Sequence, residues 1–264
     1  MAYEHILLDV SPEGTAVLTL NRPARRNAFN AEVISELSDA FDMLAKNPAC
    51  RILLIRGAGP VFSAGADLEW MKAAAHYSEK ENEEDALAMA EMLRGLFELP
   101  QVTIALLHGA VMAGACGLAA ACDIAIARKG TVFAFSEVRL GIIPATISPY
   151  IVNAMGPRWA RTLFVTAERF EADVAARLGL IHHVVEDEMA MEKLVEHYAD
   201  LVYAGSPAAI ADSKALVADV TGEVIDAGLA RMTARRLAHR RVSVQGREGL
   251  AAFLEKRQPD WSRQ

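Results

Sequence analysis

At 264 residues, 53% hydrophobic and 23% charged, the chain suits one large domain or two small ones and is too apolar to be disordered. A chain of this length buries roughly 70–75% of its unfolded surface, so its core needs no disulfide or metal staple. The 27 Lys and Arg against 34 Asp and Glu leave a formal charge of −7, which gives no general attraction to nucleic acid or to an anionic membrane.

In chain order, Ile6–Val10 and Ala16–Leu20 are apolar runs split by Ser11-Pro12-Glu13-Gly14, a hairpin signal. Asn30 can cap a helix from Ala31, whose Val33, Ile34, Leu37, Phe41 and Leu44 form one apolar stripe ending before Pro48. A strand at Ile52–Ile55 follows, and then a helix from Glu81 to Glu98 with Met89, Met92, Leu93, Leu96 and Phe97 on one face. Val102–Leu107, Ile124–Ala127 and Thr131–Phe135 read as strands, with a small-residue helix at Gly114–Ala121 between the first two. Continuous rather than alternating apolar strands predict a sheet covered on both faces. From Thr146 onward the pattern is helical apart from Leu180–Val185, with a helix stop at Gly156-Pro157. This segregation predicts an α/β core over residues 1–200 and a helical region over 201–264.

From Leu99 to Cys122 no residue is charged, a length that would serve a membrane span. Pro100, Gly109, Gly114 and Gly117 argue instead for a buried strand, a turn and a buried helix. The first ten residues carry Glu4 and Asp9 and no basic segment, so neither a signal nor a transit peptide is expected. Cys50, Cys116 and Cys122 show neither zinc nor C-x-x-C spacing and are expected to be reduced and buried, in keeping with a cytoplasmic location. Phosphate-loop, dinucleotide, nucleophile-elbow and H-E-x-x-H motifs are all missing, and the adjacent His182-His183 reads as structural rather than as a metal site.

Two Gly/Ala-rich segments remain, Phe62–Leu68 and His108–Gly117, each following an apolar strand and opening a helix. Small residues there let backbone N–H groups approach a ligand, and two converging N–H groups would form an oxyanion hole. Taken singly, each segment reads first as a tight turn with close helix packing rather than as a ligand site. Their order decides the reading. Asn21-Arg22-Pro23 with Asn27-Ala28, then F-S-A-G-A-D-L, the second Gly/Ala loop ending at Ala121-Cys122-Asp123, Phe135-Ser136-Glu137 and Gly141-Ile142-Ile143-Pro144 together resemble the crotonase (enoyl-CoA hydratase/isomerase) superfamily.

The resemblance implies a ββα superhelical core with a helical C-terminal trimerisation region, a homotrimer or homohexamer, and an acyl-CoA thioester as substrate. It implies no cofactor, no metal, and no nucleic-acid or membrane partner. It places the oxyanion donors at Ala66 and Gly114 and the acid–base group at Glu137. Contacts to substrate or CoA are implied for Arg25, Ser63, Ala64, Gly65, Asp67, Leu68, Gly117, Phe253 and Lys256. Hydratases of the family carry a second glutamate three residues after the oxyanion glycine, where this chain has Gly117. That departure leaves two uses open for Gly117, loss of a water-orienting group or room for a branched or carboxylated acyl chain. Arg139, two residues beyond Glu137, would share its face if the strand continued and would then depress its pKa. The pattern Ser136–Gly141 with Pro144–Tyr150 further resembles bacterial methylglutaconyl-CoA hydratases of leucine catabolism, which also tend to carry glycine at this position. An enoyl-CoA isomerase, which needs one carboxylate only, is the competing reading, followed by other reactions of the superfamily such as thioester hydrolysis or decarboxylation, and then by a non-catalytic acyl-CoA- or RNA-binding homologue.

Overall fold

A computed structural model describes residues 3–262. Strands β1 (Ile6–Val10) and β2 (Thr15–Leu20) form the expected antiparallel hairpin, and α1 (Ala31–Ala45) starts at Asn30, whose side chain accepts from Val33 N. The chain continues through β3 (Ile52–Gly57), α2 (Leu68–Ala74), α3 (Glu79–Phe97), β4 (Val102–Leu107), β5 (Ala110–Met112) and α4 (Gly114–Ala121). Next come β6 (Ile124–Arg128), β7 (Val132–Ala134), α5 (Ser148–Thr166), β8 (Phe170–Glu171), α6 (Ala172–Arg177) and β9 (His183–Val185). Four helices close the chain: α7 (Glu188–Ala204), α8 (Pro207–Val220), α9 (Ala227–Val242) and α10 (Val244–Glu255). The uncharged run is thus divided among β4, β5 and α4, and among the described residues no helix is long and apolar enough to cross a membrane.

Two sheets organise the core. The larger has the order β1-β2-β3-β4-β6-β9, parallel from β2 onward, and the smaller has the order β5-β7-β8. β4 passes to β5 and then α4, and β6 passes to β7 and then α5, so each turn of the chain lays one strand in each sheet before a helix. β3 follows the same course, because Ser63 pairs with Val111 at the edge of the smaller sheet before α2 begins.

Side chains alternate across the large sheet. Leu53, Ile55, Ala105 and Leu107 point into the main core with α1, α3, α4 and α5, while Ile52, Leu54, Val102 and Ile104 meet α7 through Met191, Val202 and Tyr203. Both faces are therefore covered, as continuous apolar strands require. The expected stop at Gly156-Pro157 appears as a break inside α5, where Gly156 takes φ 76°. The pair His182-His183 ties β9 to its surroundings: His182 Nδ1 accepts from Ala125 N (3.0 Å), and His183 Nε2 lies 2.6 Å from the Tyr198 hydroxyl.

Candidate active site

The two Gly/Ala segments lie side by side. Ser63 N donates to Ala110 O (3.1 Å) and Met112 N to Ser63 O (3.2 Å), so the first segment runs along β5. On its other side, Phe29 N donates to Gly65 O (2.7 Å) and Asp67 N to Phe29 O (2.8 Å). Gly65 has φ 91° and passes so close to β5 that an added Cβ would lie 3.0 Å from Met112 O and 3.2 Å from Ala113 Cβ. The loop thereby delivers Ala66 to the start of α4. There Ala113 adopts φ 49° and ψ −119°, a conformation that costs a non-glycine residue about 1–3 kcal/mol, and its N–H is held by Ala134 O (2.9 Å). Among the described residues neither Ala66 N–H nor Gly114 N–H donates to a protein acceptor. Both expected main-chain donors are thus free, Gly114 N–H at the head of α4, as stabilising negative charge on a carbonyl oxygen would require.

What holds this loop is the N-R-P…N-A stretch, whose role was not evident from its residue types. Asn27, 2% exposed, donates through Nδ2 to Ala58 O (2.8 Å), Val61 O (3.0 Å) and Phe62 O (3.1 Å), while its Oδ1 accepts from Arg22 N (2.9 Å). Arg22 in turn donates to Ala28 O (2.6 Å) and pairs with Asp67 (3.0 Å), which also caps α2 by accepting from Glu69 N (2.9 Å). Burial alone would raise the Asp67 pKa. The Glu69 amide, the Arg22 hydrogen bond and the charges of Arg22 and Arg25 outweigh it and hold the carboxyl below its ordinary range.

Glu137 opens a short 3-10 turn, Glu137–Leu140, rather than continuing a strand. That overturns the expected partnership with Arg139, which turns away and donates to Ala167 O (2.9 Å) at the end of α5. The pKa of Glu137 moves the opposite way from that expectation: burial raises it, opposed only by a hydrogen bond from its own backbone. The residue is 9% exposed, and its Oε2 is buried with no hydrogen-bond partner. Its charge is felt by Cys116, in the first turn of α4, whose thiol is pushed up first by burial and then by Glu137. A carboxyl group held in a largely apolar setting, with one oxygen left to receive or give a proton, therefore adjoins the helix that carries the Gly114 donor.

The family model for enoyl-CoA hydratase/isomerase matches residues 11–264. The chain belongs to this family. A crotonyl-CoA hydratase from Syntrophomonas wolfei is 32% identical over 263 residues, covering 99% of each chain. The structure of an enoyl-CoA hydratase from Shewanella pealeana superposes with a TM-score of 0.95 at 39% identity, covering 98% of this chain and 96% of that one. An enoyl-CoA hydratase/isomerase from Marinobacter aquaeolei gives 0.92 at 34% identity, with 98% and 99% covered. The two interleaved sheets with their intervening helices are the crotonase fold.

Within that fold, position 117, where the resemblance implies the hydratases' second glutamate, is closed. Gly117 is buried in α4, and a Cβ there would lie 2.2 Å from Ile147 Cγ2 and 2.7 Å from Ile147 Cβ, with Leu93 Cδ1 at 3.4 Å. The expectation that Gly117 makes room for an acyl group is corrected accordingly, because Ile147 already fills that room. Sequence reasoning missed Ile147, since nothing in a lone apolar residue after Ala145-Thr146 signals what it packs against.

The other expected contacts divide by exposure. Ser63 is fully buried and accepts from Gly65 N (3.2 Å), so Ser63, Gly65 and Asp67 support the loop from behind. Ala64 and Ala66 are half-buried, while Arg25 and Leu68 stand exposed beside them. Phe253, 80% exposed, and Lys256, which closes α10 with φ 56°, sit on the C-terminal helices, where α10 packs on α8 and α9. The Arg231–Arg241 cluster of α9 pairs in part with α8, through Arg236 to Asp219 and Arg240 to Asp212.

Proposed function

We propose that this member of the family adds water across the double bond of an enoyl-CoA whose acyl group is branched or carries a carboxylate of its own, such as 3-methylglutaconyl-CoA. The observation that carries this reading is Glu137, a buried carboxyl whose Oε2 is unpartnered, together with two free main-chain donors and a position 117 closed by packing. In the proposed reaction the thioester oxygen lies between Ala66 N–H and Gly114 N–H. Water's oxygen bonds to the β carbon, the π pair moves onto the thioester oxygen, and Glu137 sets a proton on the α carbon. The proton released by water restores Glu137. A distal carboxylate on the substrate would hold the water in place of the missing glutamate. One oxyanion donor is typically worth about 3–4 kcal/mol of barrier.

Arg25 and Leu68 are proposed to meet the CoA moiety, and Phe253 and Lys256 to serve a CoA pocket in a homotrimer or homohexamer. The CoA thioester is substrate, and the proposed chemistry uses no further cofactor. Side-by-side turnover of crotonyl-CoA and 3-methylglutaconyl-CoA, followed by loss of enoyl-thioester absorbance, tests the proposal. Faster loss with the carboxylated substrate supports it, and loss with neither overturns it. The lone Glu137 also suits double-bond isomerisation, where one carboxylate carries a proton between two carbons. A gain of conjugated absorbance from a 3-enoyl-CoA, with no hydration, would favour that reading.

A further inference from the structure

Residues 114 and 117 lie three apart on α4 and so share a helix face, which puts Gly117 on the side of the oxyanion donor. Against that face stands Ile147, 1% exposed, at the entrance to α5, and the 3-10 turn bearing Glu137 packs against α5 as well. We infer that Ile147 is a specificity-determining residue, whose side chain fills the volume that any side chain at position 117 would need and thereby keeps a second carboxylate out of the site. The clash involves Ile147 Cβ as well as Cγ2, so a rotamer change cannot relieve it, and the two positions are coupled by packing.

The consequence, which rests on the hydratase reading, is electrostatic. With one carboxylate and an apolar wall, the site meets an acyl group bearing negative charge with less like-charge repulsion than a second carboxylate would add. It also leaves an uncharged acyl group without a protein partner for its water. Ile147 acts through exclusion, so truncating it to alanine removes the tightest contact, leaves the 2.7 Å Cβ contact for a small backbone shift to relieve, and lets a glutamate at 117 enter.

The experiment compares wild type with Ile147→Ala, Gly117→Ala, Gly117→Glu, Gly117→Ala/Ile147→Ala and Gly117→Glu/Ile147→Ala. Melting temperatures report the packing: Gly117→Ala should lower the melting temperature while Ile147 is in place and lower it clearly less in the Ile147→Ala background, where the 2.2 Å contact is gone and only the Cβ contact at 2.7 Å remains. Specificity is read in two ways. Turnover gives the ratio of kcat/KM for 3-methylglutaconyl-CoA over crotonyl-CoA, with kcat and KM resolved separately. Dissociation constants of the non-reacting 3-methylglutaryl-CoA and butyryl-CoA give the same preference without chemistry.

In the Gly117→Glu/Ile147→Ala variant both ratios should shift at least about tenfold toward the uncharged acyl group, the scale of one added pocket group. Most of the turnover shift should appear as gained kcat on crotonyl-CoA. An equal melting-temperature loss for Gly117→Ala in both backgrounds would overturn the inference, and so would a folded double variant with unchanged ratios. If the double variant fails to fold, Ile147→Ala decides the matter. Water admitted beside the acyl site should raise its crotonyl-CoA turnover relative to the carboxylated substrate, and an unchanged ratio sinks the inference. Absence of turnover in the wild type would remove the hydratase reading alone, because the dissociation constants and the melting cycle still decide the role of Ile147.

Discussion

On one wall of the candidate site the proposed chemistry falls to main chain, and on the other to a single side chain at the head of a four-residue turn. The Ala66–Gly114 wall is woven into three segments, residues 22–29, 58–67 and 110–114, by hydrogen bonds to backbone carbonyls. The Glu137 wall is held by bonds within its own turn, such as Ile142 N to Glu137 O, and by one bond to a distant segment, Arg139 to Ala167 O, while Leu140, Ile142 and Ile143 are exposed. The difference teaches where each wall is vulnerable. Removing one side chain deletes the carboxylate function outright. The amide function has no side chain to remove and is reached only through the residues that hold the loop.

The largest effect therefore belongs to Glu137→Gln. Loss of the proton carrier should lower kcat by about 10²–10⁴-fold, as measured by enoyl-thioester turnover. Stability should move the other way. Burial raises the folded-state pKa of Glu137 above its ordinary 4.5, so its contribution to folding is full below that value and is lost as pH rises through the folded pKa. Glutamine carries no such penalty. Denaturant melts at pH 5 and pH 8 should show the variant gaining on wild type as pH rises, and a variant that lost stability with rising pH would contradict the assigned burial.

Arg22 tests the opposite wall. Arg22→Met leaves Asp67 buried without its cation and Ala28 O without its donor, which should cost about 3–5 kcal/mol in urea unfolding. Because the Asp67 pKa is held down, the stability it contributes is present above its ordinary 3.8 and is lost as pH falls through the folded value. The penalty of the variant should accordingly shrink as the solution is acidified. A constant penalty would mean that Arg22 acts through packing rather than through its charge.

Much of this architecture was readable from the chain. The stripe of α1, its Asn30 cap and the continuous apolar strands follow from period and propensity, because their burial is decided locally. Glu137 was singled out through its place in an ordered set of motifs, and the structure shows it buried with one unpartnered oxygen. Its surroundings were not readable in this way. On a strand Arg139 would share its face, but in a 3-10 turn residues two apart point about 240° away from each other, and a change of local geometry reversed the sign of the pKa argument. Ile147 and Asn27 were missed for a related reason. Their work is done on Gly117 and on the 58–62 carbonyls, contacts that only the tertiary fold brings together.

Asn27 separates backbone strain from hydrogen bonding. It sits at φ 54°, a conformation open to asparagine and glycine and costly for alanine by about 1–2 kcal/mol. Asn27→Ala also strips three carbonyls of their donor, for a combined expected loss of about 2–4 kcal/mol. Asn27→Gly keeps the backbone conformation and should recover the strain part only. Both variants should lower kcat more than they raise KM if the loop they release aims the Ala66 amide, since that donor works hardest in the transition state. A pure KM effect would detach this scaffold from the oxyanion wall.

The smallest effect is expected far from either wall. Arg240, half-buried on α9, reaches to exposed Asp212 on α8, and a solvent-accessible pair of this kind is worth about 0–1 kcal/mol and is screened by salt. Arg240→Gln should therefore leave the melting temperature within about 2 °C and turnover unchanged for the isolated subunit, by the size scaling of thermal unfolding. Helices α8 and α9 bury none of their side chains fully within the chain, whereas α1 and α4 each bury most of one face. If the variant instead lowered the molecular mass seen by light scattering, the pair would be acting in association between subunits. The expected neutrality is then itself informative, because it separates a helical region that folds on the core from one that serves to join copies of it.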